Sequence, residues 1–204
     1  MNYTWKPYDP AVMYFVEDWL DDEAVAMTGL DEGWRAFHEY WIMDGGMRPG
    51  EDYWCMLVCE DDTPMAVIAL SLHEGCFHIM ELLVKPDQRG RGLGTALLRE
   101  LLICSEEIIG HRIDRSSAVV FLENKAAKKS FEKAGFTIAE IHEEGDAWKL
   151  CFDRGGTAMN SCDKEFLLRA YGEQFGPEAG PWNTSAHSKY LEYMLASFLK
   201  STLR

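Results

Sequence analysis

The feature that most constrains this chain is the run Val84-Lys85-Pro86-Asp87-Gln88-Arg89-Gly90-Arg91-Gly92-Leu93-Gly94-Thr95, with glycine at every second position from 90 to 94. Upstream, Ile79 to Val84 reads as a buried strand. Downstream, Leu93, Ala96, Leu97, Leu101 and Leu102 recur at helical spacing. A strand that turns through glycines into a helix leaves the first N–H groups of that helix without partners, at the positive end of its dipole. Such a turn seats an anionic group, and glycine lets the backbone approach the ligand and take positive φ. Arg89 and Arg91 add positive charge to the same loop. The run reads as a phosphate cradle.

Two common cradles are excluded by spacing. A Walker A loop needs Gly, four residues and then Gly-Lys-Ser/Thr, which is absent. In a dinucleotide fingerprint, Gly-x-Gly is followed three residues later by Gly. Here Gly90 and Gly92 lead to Thr95, and Gly92 and Gly94 lead to Leu97. What stands is Arg89-x-x-Gly92-x-Gly94. This resembles the Arg/Gln-x-x-Gly-x-Gly/Ala signature of the GNAT superfamily, the acetyl-CoA-dependent N-acyltransferases, where the loop wraps the pyrophosphate of coenzyme A. The resemblance implies that Arg89, Gly90, Arg91, Gly92, Leu93, Gly94 and Thr95 bind the cofactor.

A second segment resembles the same superfamily. The apolar strand candidate Ser117 to Leu122 is followed by Glu123-Asn124-Lys125-Ala126-Ala127 and by a helical stretch that ends in Gly135-Phe136. Asn124 suits a helix N-cap and Gly135 a left-handed stop. Ala127 and Phe131 share a helix face. The resemblance covers residues 1–154 and implies that Asn124, Ala127 and Phe131 also line the cofactor site. It implies an α/β (mixed α+β) GNAT fold, with a central, mostly antiparallel sheet flanked by helices.

The coarse pass agrees with that order. Tyr3 to Lys6 reads as a strand, and Asp9-Pro10 suits a helix start before Val12, Phe15, Val16 and Trp19. A helical stretch broken by Gly29 and another from Gly33 to Met43 follow, the latter with Trp34, Phe37, His38 and Trp41 on one face. Tyr53 to Glu60 and Met65 to Leu72 read as strands joined by Asp61-Asp62-Thr63-Pro64. Phe136 to His142 and Ala147 to Phe152 read as a closing hairpin around Glu144-Gly145-Asp146. Residues 155–204 read as a separate helical extension, in which the spacing of Tyr190, Leu191, Met194, Leu195 and Phe198 predicts an apolar stripe. Packing on its own domain, a homodimer contact and a lid carrying Trp182 are the three expectations for it.

Charge is unevenly placed. Residues 1–62 carry 15 of the 34 acidic side chains but 3 of the 20 basic ones. That surface repels nucleic acid and anionic membranes and attracts cations. In the superfamily, the helices after the first strand border the acceptor amine, so the resemblance implies a cationic small-molecule amine as acceptor. A solvated acidic surface that serves solubility is the plain alternative. Six cysteines without a Cys-x-x-Cys pair and six scattered histidines point to reduced thiols and to no metal. No apolar run is long enough to span a bilayer, and Met1 to Pro10 lacks a leader's basic and apolar regions, so the expected location is cytoplasmic.

Acetyl transfer from a thioester to an amine needs a base, because an alkyl amine is mostly protonated at pH 7. Glu81 lies on the central strand candidate among Met80, Leu82 and Leu83, where partial desolvation raises a carboxyl pKa. By resemblance Glu81 is the base, directly or through water. The backbone N–H groups of Leu83 and Val84, again by resemblance, hold the thioester carbonyl and the pantetheine arm. One departure stands out: many members carry Tyr where Phe131 stands and use it to protonate the thiolate. The thiolate leaves unaided, Tyr190 or Tyr193 reaches in, or transfer has been lost; Ser130 is expected to point elsewhere. The reading is therefore an acetyl-CoA-dependent N-acetyltransferase for a small amine. A non-catalytic acyl-CoA-binding module and transfer to a protein amine are the alternatives.

Overall fold

A computed structural model describes residues 3–141 and 147–155. Seven strands, β1 (Tyr3–Pro7), β2 (Tyr53–Glu60), β3 (Thr63–His73), β4 (Cys76–Val84), β5 (Arg115–Phe121), β6 (Thr137–Ile141) and β7 (Ala147–Asp153), form one sheet in the order β1-β2-β3-β4-β5-β7-β6. Every neighbouring pair is antiparallel except β4 and β5. The β2–β3 hairpin turns on Asp61 and Asp62, both at positive φ (47° and 61°). Two successive positive-φ residues match the right-handed twist of the flanking strands, and aspartate tolerates them well.

Each face of the sheet carries its own helical layer. Alternation sends Leu57, Val67 and Leu83 to one face, with Trp34, Phe37 and Trp41 of α2 (Trp34–Met43) and Ala24 of α1 (Asp22–Thr28). Met56, Ile68 and Leu82 go to the other, against Leu98 and Leu101 of α3 (Leu93–Ile109) and Phe131 of α4 (Lys125–Ala134). The expected helix from Asp9 is instead a 3₁₀ segment at Tyr14–Trp19. Its buried residues, Val16 and Trp19, are three apart, which is the period of a 3₁₀ turn, whereas Val12 of the expected stripe is 61% exposed. Glu17 of that segment caps α2, accepting from the N–H groups of Trp34 (2.9 Å) and Arg35 (2.6 Å). Gly29 ends α1 at φ 74° and Gly135 ends α4 at φ 107°, both left-handed stops.

The mixed architecture is as the sequence suggests. The extension expected at 155–204, apart from Gly155, lies outside the described residues, as do the tip of the last hairpin and Tyr190, Tyr193 and Trp182. Among the described residues no helix is long and apolar enough to cross a membrane.

Candidate active site

The parallel ladder between β4 and β5 is short. Phe77, His78 and Ile79 pair with Ser116, Ser117 and Ala118, and the pairing stops there, although β4 runs on to Val84 and β5 to Phe121. A bulge coincides with the parting: on the β3 side, Leu70 faces Ile79 and Ala69 faces Glu81, so Met80 is the extra residue. Bulges bend and twist a strand. Between the diverging strands lies a cavity of about 760 Å³, lined by both strand ends, the glycine loop, and parts of α1 and α4.

The strand backbone supplies donors to this cavity. Lys85 N–H bonds to Met65 C=O on β3 (2.9 Å). Antiparallel alternation then turns Leu83 toward β3, where it faces Val67, and turns Leu82 and Val84 the other way, into the cleft. The Val84 carbonyl confirms the phase, because it accepts from Arg89 Nε at 3.0 Å on the side away from β3. Of the two N–H groups named from the sequence, that of Val84 therefore points into the cleft and that of Leu83 toward β3. The Leu82 N–H also points into the cleft, a direction that only the ladder's phase reveals.

The loop does what glycine requires. Gly90 and Gly92 stand at φ 75° and 82°. Gly92 is the N-cap of α3, without a side-chain cap, and the first ladder bond of the helix runs from Ala96 N–H to its carbonyl (3.1 Å). The N–H groups of Leu93, Gly94 and Thr95 precede that bond and face no helical acceptor. The Leu93 side chain is buried in the core, so this residue offers its backbone alone. Gly94 lies close against Ser130: a Cβ there would stand 3.6 Å from Ser130 Oγ. Arg91, Lys129 and Lys133 set positive charge around the lining. The two lysines escaped the sequence analysis, since their approach to the loop depends on how α4 packs.

Arg89 behaves differently from Arg91. Besides Val84, its guanidinium donates to both oxygens of Asp21 (2.8 and 2.7 Å) and to the Trp19 carbonyl (2.7 Å). The side chain is thus occupied on the α1 side, although the residue lines the cavity. The Arg89 pair and the α1 N-cap bond from Ala24 N–H hold the Asp21 carboxyl below the usual range. Asn124 caps α4, accepting from Ala127 N–H (3.0 Å), and its amide nitrogen donates to the Met27 carbonyl of α1 (3.4 Å).

Glu81 faces the α1/α2 side, because its partner Ala69 packs in that core. The residue is 9% exposed and lines the cavity, and desolvation raises its carboxyl pKa well above the ordinary value. Two histidines on the same side are held by partners of their own: His78 Nδ1 lies 3.0 Å from Ser117 Oγ, and His38 Nδ1 lies 3.1 Å from the Tyr53 hydroxyl. Burial lowers the His38 pKa. Of the 15 acidic residues in positions 1–62, Glu23 is the one that lines the cavity. Others are engaged elsewhere: Asp62 with Lys6, Glu39 with Arg35, Glu51 with Arg48, and Glu17 in capping α2.

Phe131 lines the cavity and packs edge-on against Phe136, with ring centres 5.0 Å apart. Ser130, expected to point away, lies in the lining, with its hydroxyl donating to Ala126 C=O at 3.0 Å. Among the described residues no group of His, Cys, Asp and Glu is arranged to hold a metal ion.

The sequence profile of the acetyltransferase (GNAT) family matches residues 14–136. Among solved structures, the aminoglycoside acetyltransferase AAC(6')-Ib in complex with coenzyme A superposes with a TM-score of 0.59 at 18% identity, over 76% of this chain and 96% of that one. The spermidine N-acetyltransferase from Vibrio cholerae, in complex with coenzyme A and spermine, gives 0.55 at 13% identity, over 75% and 96%. The N-acetyltransferase PseH of Campylobacter jejuni gives 0.52 at 17% identity, over 74% and 98%. At these identities the likeness is one of fold. No curated protein sequence matches.

Proposed function

Because this chain belongs to the acetyltransferase (GNAT) family, with acetyl-CoA as its acyl donor, we propose that it transfers the acetyl group to a small, cationic amine. The observation that carries the reading is the cavity itself: phosphate-seating N–H groups at one end and a desolvated carboxyl on the central strand at the other. Relatives in fold act on aminoglycosides and spermidine, which agrees with a cationic acceptor.

The residues fit the donor. The N–H groups from Gly90 to Thr95 offer a nest at the positive end of α3, and Arg91, Lys129 and Lys133 supply charge for phosphates. The parted ends of β4 and β5, together with Ala127 and Phe131, give an apolar slot for a pantetheine arm. The donor supplies an activated acyl carbon as a thioester. Leu82 and Val84 then provide N–H donors in the cleft, fixed by the sheet, for the carbonyl oxygen as negative charge grows on it.

Glu81 is the proton acceptor in this scheme. The amine nitrogen forms its bond to the acyl carbon, the carbon–sulfur bond breaks, and the ammonium proton passes to Glu81 directly or through water. A raised carboxyl pKa brings the base closer to that of its substrate, which improves proton transfer. The electron pair leaves on sulfur. Phe131 has no proton for it. Ser130, within the lining, is the hydroxyl closest in sequence to that position, and a thiolate is a weak enough base to leave without one.

Calorimetric titration of acetyl-CoA, followed by thiol release with an amine panel that includes spermine and kanamycin, tests the reading. Binding together with amine-dependent thiol release is the expected result. Binding without release across the panel would mark an acyl-CoA-binding module, and absence of binding would remove the donor assignment.

A further inference from the structure

Two side chains of the motifs read for the cofactor, Arg89 and Asn124, both reach to the same short helix. α1 is seven residues long, and Ala24 is its one buried residue. A helix of that length does not hold itself in water. It is nonetheless a wall of the cavity, through Glu23, Ala24, Met27 and Thr28. Arg89 secures its start through two bonds to the N-cap Asp21 and one to the Trp19 carbonyl just before it. Asn124 secures its last turn, donating to the Met27 carbonyl, which the helix leaves without an internal acceptor role. The amide orientation of Asn124 is fixed by its other bond, since the oxygen must accept from Ala127 N–H. One pin comes from the loop that follows β4 and the other from the loop that follows β5, so α1 bridges the two segments that leave the splayed strands.

We propose that Arg89 and Asn124 are positioning residues for the acceptor side: they pin α1 across the cavity, so that ordering of the phosphate loop by the donor is transmitted to the wall that meets the amine. This rests on the donor assignment above. Arg89 belongs to the loop by its backbone and to α1 by its guanidinium. Its three nitrogens are divided among partners, Nη1 meeting both oxygens of Asp21, Nη2 the Trp19 carbonyl and Nε the Val84 carbonyl, an arrangement that lysine cannot reproduce. A phosphate would have to break these bonds to recruit the same group.

Hydrogen exchange of the α1 amides, measured with and without coenzyme A, tests the proposal beside a calorimetric Kd. In the wild type, coenzyme A slows exchange across residues 22–28. In Arg89→Gln, exchange is faster by about tenfold, as expected for loss of local protection, and no longer responds to coenzyme A, while the Kd stays within about threefold of wild type. Arg89→Lys, which keeps charge beside Asp21, restores part of the response. Asp21→Asn retains the oxygen that caps α1 and gives the same uncoupling if Arg89→Gln fails to fold. Asn124→Asp retains the α4 cap and removes the donor to Met27, freeing the other end. A Kd weakened tenfold or more by Arg89→Gln overturns the proposal, because the guanidinium then serves the phosphates. Indifference of α1 exchange to coenzyme A in the wild type also overturns it. If coenzyme A does not bind at all, the donor assignment fails, and the pins are read separately from the faster α1 exchange of the variants alone.

Discussion

The wall of the cavity proposed to meet the donor, from Leu82 to Thr95, is held by backbone geometry within one continuous stretch of chain, whereas the wall proposed to meet the acceptor, α1, is held by side chains from elsewhere. The first uses two positive-φ glycines, an uncapped helix start and the free edge of β4. The second uses Arg89 and Asn124, 68 and 97 residues distant in sequence from their partners. A wall made of backbone tolerates many side chains but few changes of conformation. A wall made of side-chain pins can be retuned one residue at a time. This difference suits a family in which the donor is common to members and the acceptor is not.

The largest effect should therefore come from bending the donor wall. Gly92 stands at φ 82° at the start of α3. For Gly92→Asp, left-handed strain of about 1–2 kcal/mol combines with a carboxylate placed among the phosphate donors. Acetyl-CoA binding should weaken by about a hundredfold or more, read by calorimetry, with little change in the exchange of α2. Binding retained near the wild-type Kd would break the contrast at its firmer side.

Next comes Glu81, where the walls meet. Glu81→Gln should lower kcat/KM by about 10²–10⁴ with the acetyl-CoA Kd unchanged. The wild-type rate should rise with pH through a carboxyl pKa well above the ordinary value, and the variant should lose that limb. Stability should move the opposite way. A carboxyl whose folded pKa is raised contributes its stability below the unfolded pKa, and that contribution is lost as pH rises through the folded pKa. Glu81→Gln should therefore melt higher than wild type at pH above the raised pKa, with the advantage gone in acid. Equal melting at both ends would mean that the carboxyl is solvated.

The same contrast explains what could be read in the sequence. Glycine spacing, the Asn124 cap and the Gly135 stop report local backbone demands, and the structure meets them. Strand phase is not local: the Lys85–Met65 bond and the Met80 bulge show that the N–H of Leu82, and not that of Leu83, turns away from β3. Nor does sequence show that Arg89 is committed to Asp21, since any arginine in a glycine loop reads as a phosphate ligand. The 3₁₀ segment was masked by apolar residues whose spacing fits a helix until Val12 proves exposed. The acidic third read either as a solvated surface or as an acceptor wall; capping and ion pairing absorb several of its members, and Glu23 stands in the lining.

A smaller effect separates the two loop arginines. Arg91 is exposed at the cavity, and among the described residues its side chain makes a 3.4 Å contact with Gln88, so its charge is available to the donor. Arg91→Ala should weaken acetyl-CoA binding by about fivefold, the scale of one charge-assisted contact at a solvated rim. Arg89→Gln should do less to the donor despite standing two residues away. If the order is reversed, Arg89 belongs to the donor wall.

The smallest effect concerns the acceptor's charge. Glu23 stands on the pinned helix and is exposed toward the cavity, so its attraction for an ammonium group acts through water and is screened by salt. With spermine as the probe amine, Glu23→Gln should raise KM by about threefold at low ionic strength and by almost nothing near 1 M salt, where the Debye length is about 3 Å. Wild-type KM should itself climb with salt and meet that of the variant, because the two differ by one screened charge. A KM that ignores both salt and Glu23 would mean that the acidic surface serves solubility, and that the acceptor wall selects by shape alone.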